Sequence, residues 1–304
     1  MGSEMCIRDR CKVCRRREAV YKRLTSGELL CRPCLYSGVV KQVRRAMSYY
    51  AIVHRGERAL FIVRPDRPLE SIISLQLFLS AARDLELEIS ILCYSQLLDC
   101  TTLSQVLTEL NLKPAMLHVT SKFDSIQLGF LELLKFSEAI AHNIARKHRF
   151  NAVLTPLYRD ELALLGILGL LKISRSIFSE ALPVKLGNGV RIARPFLYVA
   201  SMDVLYLAYT SPTLIKYLEK LRPYIPALDP VEETVLRHAK GILWFSTELM
   251  YSSSKSVELL QSYILGSAKR CRFCLAHSDT EVCEYCSRLL RIIEETREST
   301  EEQP

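Results

Sequence analysis

Eight of the eleven cysteines stand in four C-x-x-C pairs, gathered two by two at opposite ends of the chain: Cys11/Cys14 with Cys31/Cys34, and Cys271/Cys274 with Cys283/Cys286. Residues 35–270 hold only Cys93 and Cys100. A secreted disulfide scaffold is short and carries cysteine throughout. Thiols gathered in fours point instead to metal, because two knuckles together present a tetrahedral set of thiolates. The first set, C-x2-C-x16-C-x2-C, leaves room for a hairpin over Tyr21–Leu30 with Ser26-Gly27 at its turn. The second, C-x2-C-x8-C-x2-C, is a tighter ribbon, and its His277 reads as a solvated loop residue rather than a ligand. Both sets are read as structural zinc sites, two ions per chain. Such sites have no open coordination position, so no chemistry is assigned to them. A redox C-x-x-C and iron as the metal stay as alternatives.

Charge is as uneven as cysteine. Residues 11–67 carry 14 Lys/Arg against 4 Asp/Glu, whereas the whole chain is only +8. A local excess of that size is the electrostatic footprint of a polyanion partner, most often nucleic acid. Arg15, Arg16 and Arg17 follow the second cysteine, and Lys22 and Arg23 lie on the expected hairpin. Beyond them Lys41, Arg44 and Arg45 share one side of a helix, with Val39, Val43 and Met47 turned to the core. These eight cations are the candidate RNA contacts. Met1–Arg10, which includes Cys6, fits none of the periodicity that follows and reads as a translated adapter or cloning scar. At the other end, 291–304 reads as an acidic, solvated tail.

Between the cysteine sets the pattern alternates. Strand-length apolar runs at 59–64, 87–93, 116–120 and 152–155 are separated by helical stretches at 69–85, 101–112, 130–148 and 161–171. Leu69/Ile73, Ile73/Leu77 and Leu75/Leu79 set the helical spacing in the first of these. Such alternation predicts an α/β doubly wound parallel sheet, with ligands at the carboxyl ends of its strands. The loop after the first strand, Arg64–Ser71, is the expected site. The longest apolar run, Leu162–Leu171, is half the length of a membrane span and reads as a buried helix. With no secretory leader visible, a soluble cytoplasmic protein is expected.

The order of parts resembles the tRNA 2-thiouridine synthetases, a branch of the PP-loop ATP pyrophosphatase superfamily. That family places a zinc finger, a basic connecting helix and a G-E-R-x-L strand before a phosphate loop, then a Rossmann-like core, helices and a last finger. Here Cys11–Cys34, Val39–Tyr50, Gly56-Glu-Arg-Ala-Leu60 and Cys271–Cys286 match those parts in turn. The resemblance implies an N-terminal finger over 11–36 and a connecting helix over 37–55. It implies a PP-loop-like core over 56–195, a helical region over 196–268 and a C-terminal ribbon over 269–290.

Departures from the family fall at its working parts. Its phosphate loop is S-G-G-x-D-S, whose glycines let backbone N–H groups approach the phosphates. This chain has Arg64-Pro-Asp-Arg-Pro-Leu-Glu-Ser71, without glycine and with two prolines that lack an N–H. Only Ser71 survives in register, so weak nucleotide contact at most is expected from Ser71 and the degenerate loop Arg64, Pro65, Asp66 and Arg67. The family's C-x-x-C before its fourth strand is replaced by Gly129-Phe-Leu-Glu-Leu133. No cysteine occurs from 101 to 270, so no iron–sulfur cluster is expected. Of the family's G-H-N-x-D-D-E stretch, Asp160 and Glu161 remain. Cys93 and Cys100 read as ordinary buried or loop thiols. The resemblance therefore implies a tRNA-binding, non-catalytic member that acts with a catalytic homologue. An active ATP-dependent sulfurtransferase with an atypical loop, and a zinc-stabilised RNA-binding scaffold, are the alternatives.

Overall fold

The computed structural model describes residues 10–119 and 127–291. The excluded leader through residue 9 with Cys6, the last residue of the expected strand at 116–120, and the acidic tail from 292 onward lie outside the described residues.

The chain opens with a small hairpin, β1 (Tyr21–Lys22) against β2 (Leu29–Leu30), turning at Gly27 in the left-handed region. Helix α1 (Arg32–Tyr49) follows at once, with Cys31 as its N-cap and Pro33 in its first turn, where a missing N–H costs nothing. Helix α1 thus begins inside the finger, directly after Cys31, and contains Cys34. Val39, Val43 and Met47 are buried along α1 as their spacing predicts.

The core is a six-stranded sheet. Its chain-ordered elements are β3 (Arg58–Ile62), α2 (Pro68–Ala82), β4 (Glu88–Tyr94), α3 (Cys100–Glu109), β5 (Ala115–Val119), α4 (Phe130–Lys147), β6 (Ala152–Leu154) and α5 (Arg159–Leu171). A short helix α6 (Arg175–Phe178) leads to the hairpin β7 (Val184–Gly187) and β8 (Val190–Ala193). The strand order is β5-β4-β3-β6-β8-β7, parallel except for β7. The β7–β8 hairpin departs from the purely parallel expectation. Its Asn188-Gly189 turn, both residues at positive φ, is the signal that reveals it.

Strand β3 shows why the runs are apolar without alternation. Ala59 and Phe61 face a layer that includes α1, α2, α3 and α5, while Leu60 and Ile62 face α4. Both faces are covered, so both must be apolar. After β8 the chain is helical: α7 (Ser201–Tyr209), α8 (Pro212–Ile215), α9 (Pro230–Phe245) and α10 (Thr247–Leu265). The C-terminal ribbon follows, with β9 (Lys269–Arg270) paired with β10 (His277–Ser278) and helical residues at 284–291. None of the described helices is long and apolar enough to cross a membrane.

The chain runs outward from β3 to β4 and β5, then returns to place β6 on the other side of β3. That reversal opens the ligand crevice of such sheets, between the segments that follow β3 and β6.

Candidate functional site

Each cysteine set closes on itself. The four Sγ atoms of Cys11, Cys14, Cys31 and Cys34 lie within 4.8 Å of one another, as do those of Cys271, Cys274, Cys283 and Cys286. The Cys14–Cys31 and Cys274–Cys283 sulfurs are 3.8 and 3.7 Å apart. These separations are the edges of a tetrahedron whose corners lie about 2.3 Å from its centre, so the residues fit a four-thiolate metal. His277 is no solvated loop residue. It pairs with Arg270 in β9, its N–H donates to Ser179 Oγ at 3.0 Å, and burial pushes its imidazole down to about 4. It stands outside the thiolate set.

The crevice after β3 is filled by the chain itself. The Arg64 guanidinium is buried and grips Asp66 through two N–H groups, at 2.6 and 3.2 Å, while a third reaches Glu161 at 2.7 Å. Arg67 holds the other Glu161 oxygen at 3.1 Å and approaches Glu70 at 3.7 Å. Ser71 Oγ accepts the Arg64 N–H and donates to the Arg67 carbonyl, which ties the loop's two ends together. Its hydroxyl is spent inside the loop. Beside it is a cavity of about 460 Å³, lined by Asp66, Arg67, Glu70 and Glu161 at one end and by apolar residues elsewhere. Two guanidiniums face three carboxyls there, which leaves no positive excess for a polyphosphate. Burial pushes Glu161 up, but Arg64 and Arg67 outweigh it and hold its carboxyl at about 2. Asp160, the other survivor, accepts from the N–H and Oγ of Ser201 at 2.8 and 2.6 Å and fastens α5 to α7.

The eight cations expected to meet RNA divide by environment. Arg15, Arg16, Arg17, Lys22 and Lys41 are exposed and form no ion pair among the described residues. Arg45 is exposed with its guanidinium 5.4 Å over the Tyr198 ring. Arg44 donates to the Ala81 carbonyl and sits 3.7 Å from Asp84. Arg23 is a correction: its Nε donates to buried Asp203 at 3.0 Å, beside Tyr21, which donates to the same carboxylate at 2.8 Å. It pins the finger to α7 and is not free to meet a ligand.

A second correction concerns Cys93 and Cys100. They are joined as a disulfide, their Cα atoms 6.0 Å apart across the turn from β4 into α3. The sequence spacing alone does not reveal this, because the turn geometry decides which thiols meet.

Sequence reasoning also missed a fully buried ion cluster. Lys135 donates to Glu180, Lys185 to Glu138 and Glu180, and Arg194 to both carboxylates. Burial alone would neutralise Lys135 and Lys185, but the carboxylates outweigh it and hold both above their ordinary range. The signal was present as polar residues inside apolar elements, but their partners come from elements far apart in sequence.

Among solved structures, the chain is similar to the U34-tRNA thiolase NcsA from Methanococcus maripaludis with its [4Fe-4S] cluster. The TM-score is 0.70 at 14% identity, covering 93% of this chain and 96% of that one. The chain shares the mostly parallel α/β fold of that protein. NAD+ synthetase from Burkholderia pseudomallei aligns at TM-score 0.36 and 13% identity, over 76% of this chain and 91% of that one. Glutamine-dependent NAD+ synthetase from Acinetobacter baumannii aligns at 0.39 and 11%, over 85% and 50%. Both of these are too loose to bear on the argument. No family model matches the sequence, and no curated protein matches it.

The expectation of no iron–sulfur cluster is overturned. A protein of this fold carries one, and this chain offers two four-thiolate sets of the kind that ligate such clusters as well as zinc. The absence of cysteine between 101 and 270 does not bear on those two sets.

Proposed function

We propose that this chain is a tRNA-binding member of the tRNA-thiolation machinery that works beside a catalytic homologue and does not itself activate ATP. The observation that carries the reading is the closed loop after β3. Where a PP-loop enzyme offers backbone N–H groups to phosphate, Arg64, Asp66, Arg67 and Glu161 satisfy one another, and Ser71 bonds back to the loop. Opening it would expose a buried ion network, which is costly. The fold shared with a tRNA thiolase and the unpaired cations of the finger and α1 support the tRNA half of the reading. Each cysteine set is proposed to hold a metal centre: Cys11, Cys14, Cys31 and Cys34 at one end, Cys271, Cys274, Cys283 and Cys286 at the other. Such a centre supplies a cross-link to small units with little core of their own.

The test is release of AMP and pyrophosphate from ATP with tRNA and a sulfur donor present. The reading predicts no release above background for this chain alone. Turnover comparable to an active thiolase would instead establish the sulfurtransferase.

A further inference from the structure

The two cysteine sets differ in their surroundings. Cys14 and Cys34 of the finger are half-buried, whereas all four cysteines of the ribbon are buried. Four thiolates around a divalent ion leave two negative charges in excess. Water can answer that charge at the finger. It cannot do so at the ribbon, and a buried charge without a partner is costly.

The buried ion cluster lies against the ribbon. Lys135 Nζ is 5.5 Å from the ring centre of Tyr285, which stands between Cys283 and Cys286. Ala139, one turn further along α4, packs on the cysteines. Ser176 accepts from Lys135 through its carbonyl at 2.9 Å and donates its hydroxyl to Glu284, beside Cys283, at 2.7 Å. The cluster is also unbalanced. Lys135, Lys185 and Arg194 face Glu138 and Glu180, so three cations meet two carboxylates and one positive charge is left over. Lys185 and Arg194 each reach both carboxylates, so Lys135 is the cation that the carboxylates do not require. Burial works against its ammonium, while Glu180, Cys274 and Cys283 work for it.

We propose that Lys135 is the buried counter-charge of the C-terminal metal centre, held toward it by Glu180 and the Ser176 carbonyl, and that the cluster's single positive excess lets the ribbon keep its metal out of water. The proposal rests on the reading of Cys271, Cys274, Cys283 and Cys286 as a metal set. It is independent of the loop after β3 and of tRNA binding. It also gives the cluster a reason to contain an odd cation, which holding the fold together does not.

The experiment is release of zinc from the zinc-loaded full chain to a chromophoric chelator. The phase that Cys271→Ser removes belongs to the ribbon. Lys135→Met keeps the length of the side chain but leaves the cluster neutral, and should speed that phase about tenfold or more while the finger's phase stays unchanged. Glu180→Gln raises the excess to two positive charges and should release the ribbon zinc no faster than the parent. Lys135→Met combined with Glu180→Gln returns the excess to one, since Lys185 and Arg194 then face Glu138 alone. The pair should release zinc more slowly than Lys135→Met by itself. A cluster that only held the fold would give the opposite ranking, because each lost partner would loosen the ribbon and the double variant would be the worst. That ranking, or release from Lys135→Met at the parent rate, would overturn the proposal. Where Lys135→Met fails to fold by circular dichroism, Glu180→Gln decides alone, and faster release than the parent overturns the proposal. Both phases surviving in Cys271→Ser would overturn the metal reading and this inference with it. A ribbon phase that Cys271→Ser removes and Lys135→Met leaves unchanged would overturn this inference only.

Discussion

Glu161 answers two guanidiniums at once, and its carboxyl is held at about 2 against an ordinary value of 4.5. A group depressed in the folded state contributes stability above its unfolded value and loses it as the pH falls through the folded one. The contribution of Glu161 is therefore complete above about pH 4.5 and fades toward pH 2. Glu161→Gln should lower stability at pH 7 by about 3 kcal/mol, because Arg64 and Arg67 lose a buried counter-charge. The variant should also show a shallower fall in urea midpoint between those two pH values than the parent. Equal slopes in urea melts across that range would remove Glu161 from the account. The sequence displays Asp160 and Glu161 only as neighbours at a helix start. Their separate duties, one fastening α7 and one closing the loop after β3, depend on partners supplied by the fold.

Among the elements, α1 and α5 are the most exacting. Cys31 is both a thiolate of the finger and the N-cap of α1. Cys31→Ser should release one metal centre per chain, read by metal analysis for zinc and iron, while serine can still cap α1. Unchanged metal content would contradict the ligand assignment. On α5, a Cβ at Gly169 would come within 2.5 Å of the Phe178 backbone nitrogen, so the glycine is needed for helix and chain to approach. Gly169→Ala should cost about 1–3 kcal/mol, visible as a lower urea midpoint without loss of metal. Most of this level is legible in the sequence: four strands, four helices and the buried face of α1 follow from period and apolarity. The β7–β8 hairpin is harder, because its four-residue strands place Lys185 and Arg191 where an apolar pattern is sought. Lys185 is tolerated there only because Glu138 and Glu180 meet it.

At the scale of the whole molecule, the chain combines a mostly parallel α/β sheet with a loop after β3 that its own side chains close. Arg15, Arg16, Arg17, Lys22 and Lys41 on the finger and α1 are exposed and form no ion pair among the described residues. The two ends were legible as four-thiolate sets from spacing alone, whereas the choice of metal was not, since thiolates serve zinc and iron–sulfur alike. The charge excess was legible too, but its usable part shrinks once Arg23 is spent on Asp203. The central claim is that the remaining cations hold tRNA. Its most direct test is the salt dependence of tRNA binding, measured for the parent and for the combined Arg16→Ala, Arg17→Ala and Lys41→Ala variant. The account predicts that parent affinity falls steeply with salt, and that the variant binds different tRNAs uniformly more weakly. The logarithmic slope should drop by roughly one for each phosphate contact removed. Identical affinity and slope in parent and variant would contradict it.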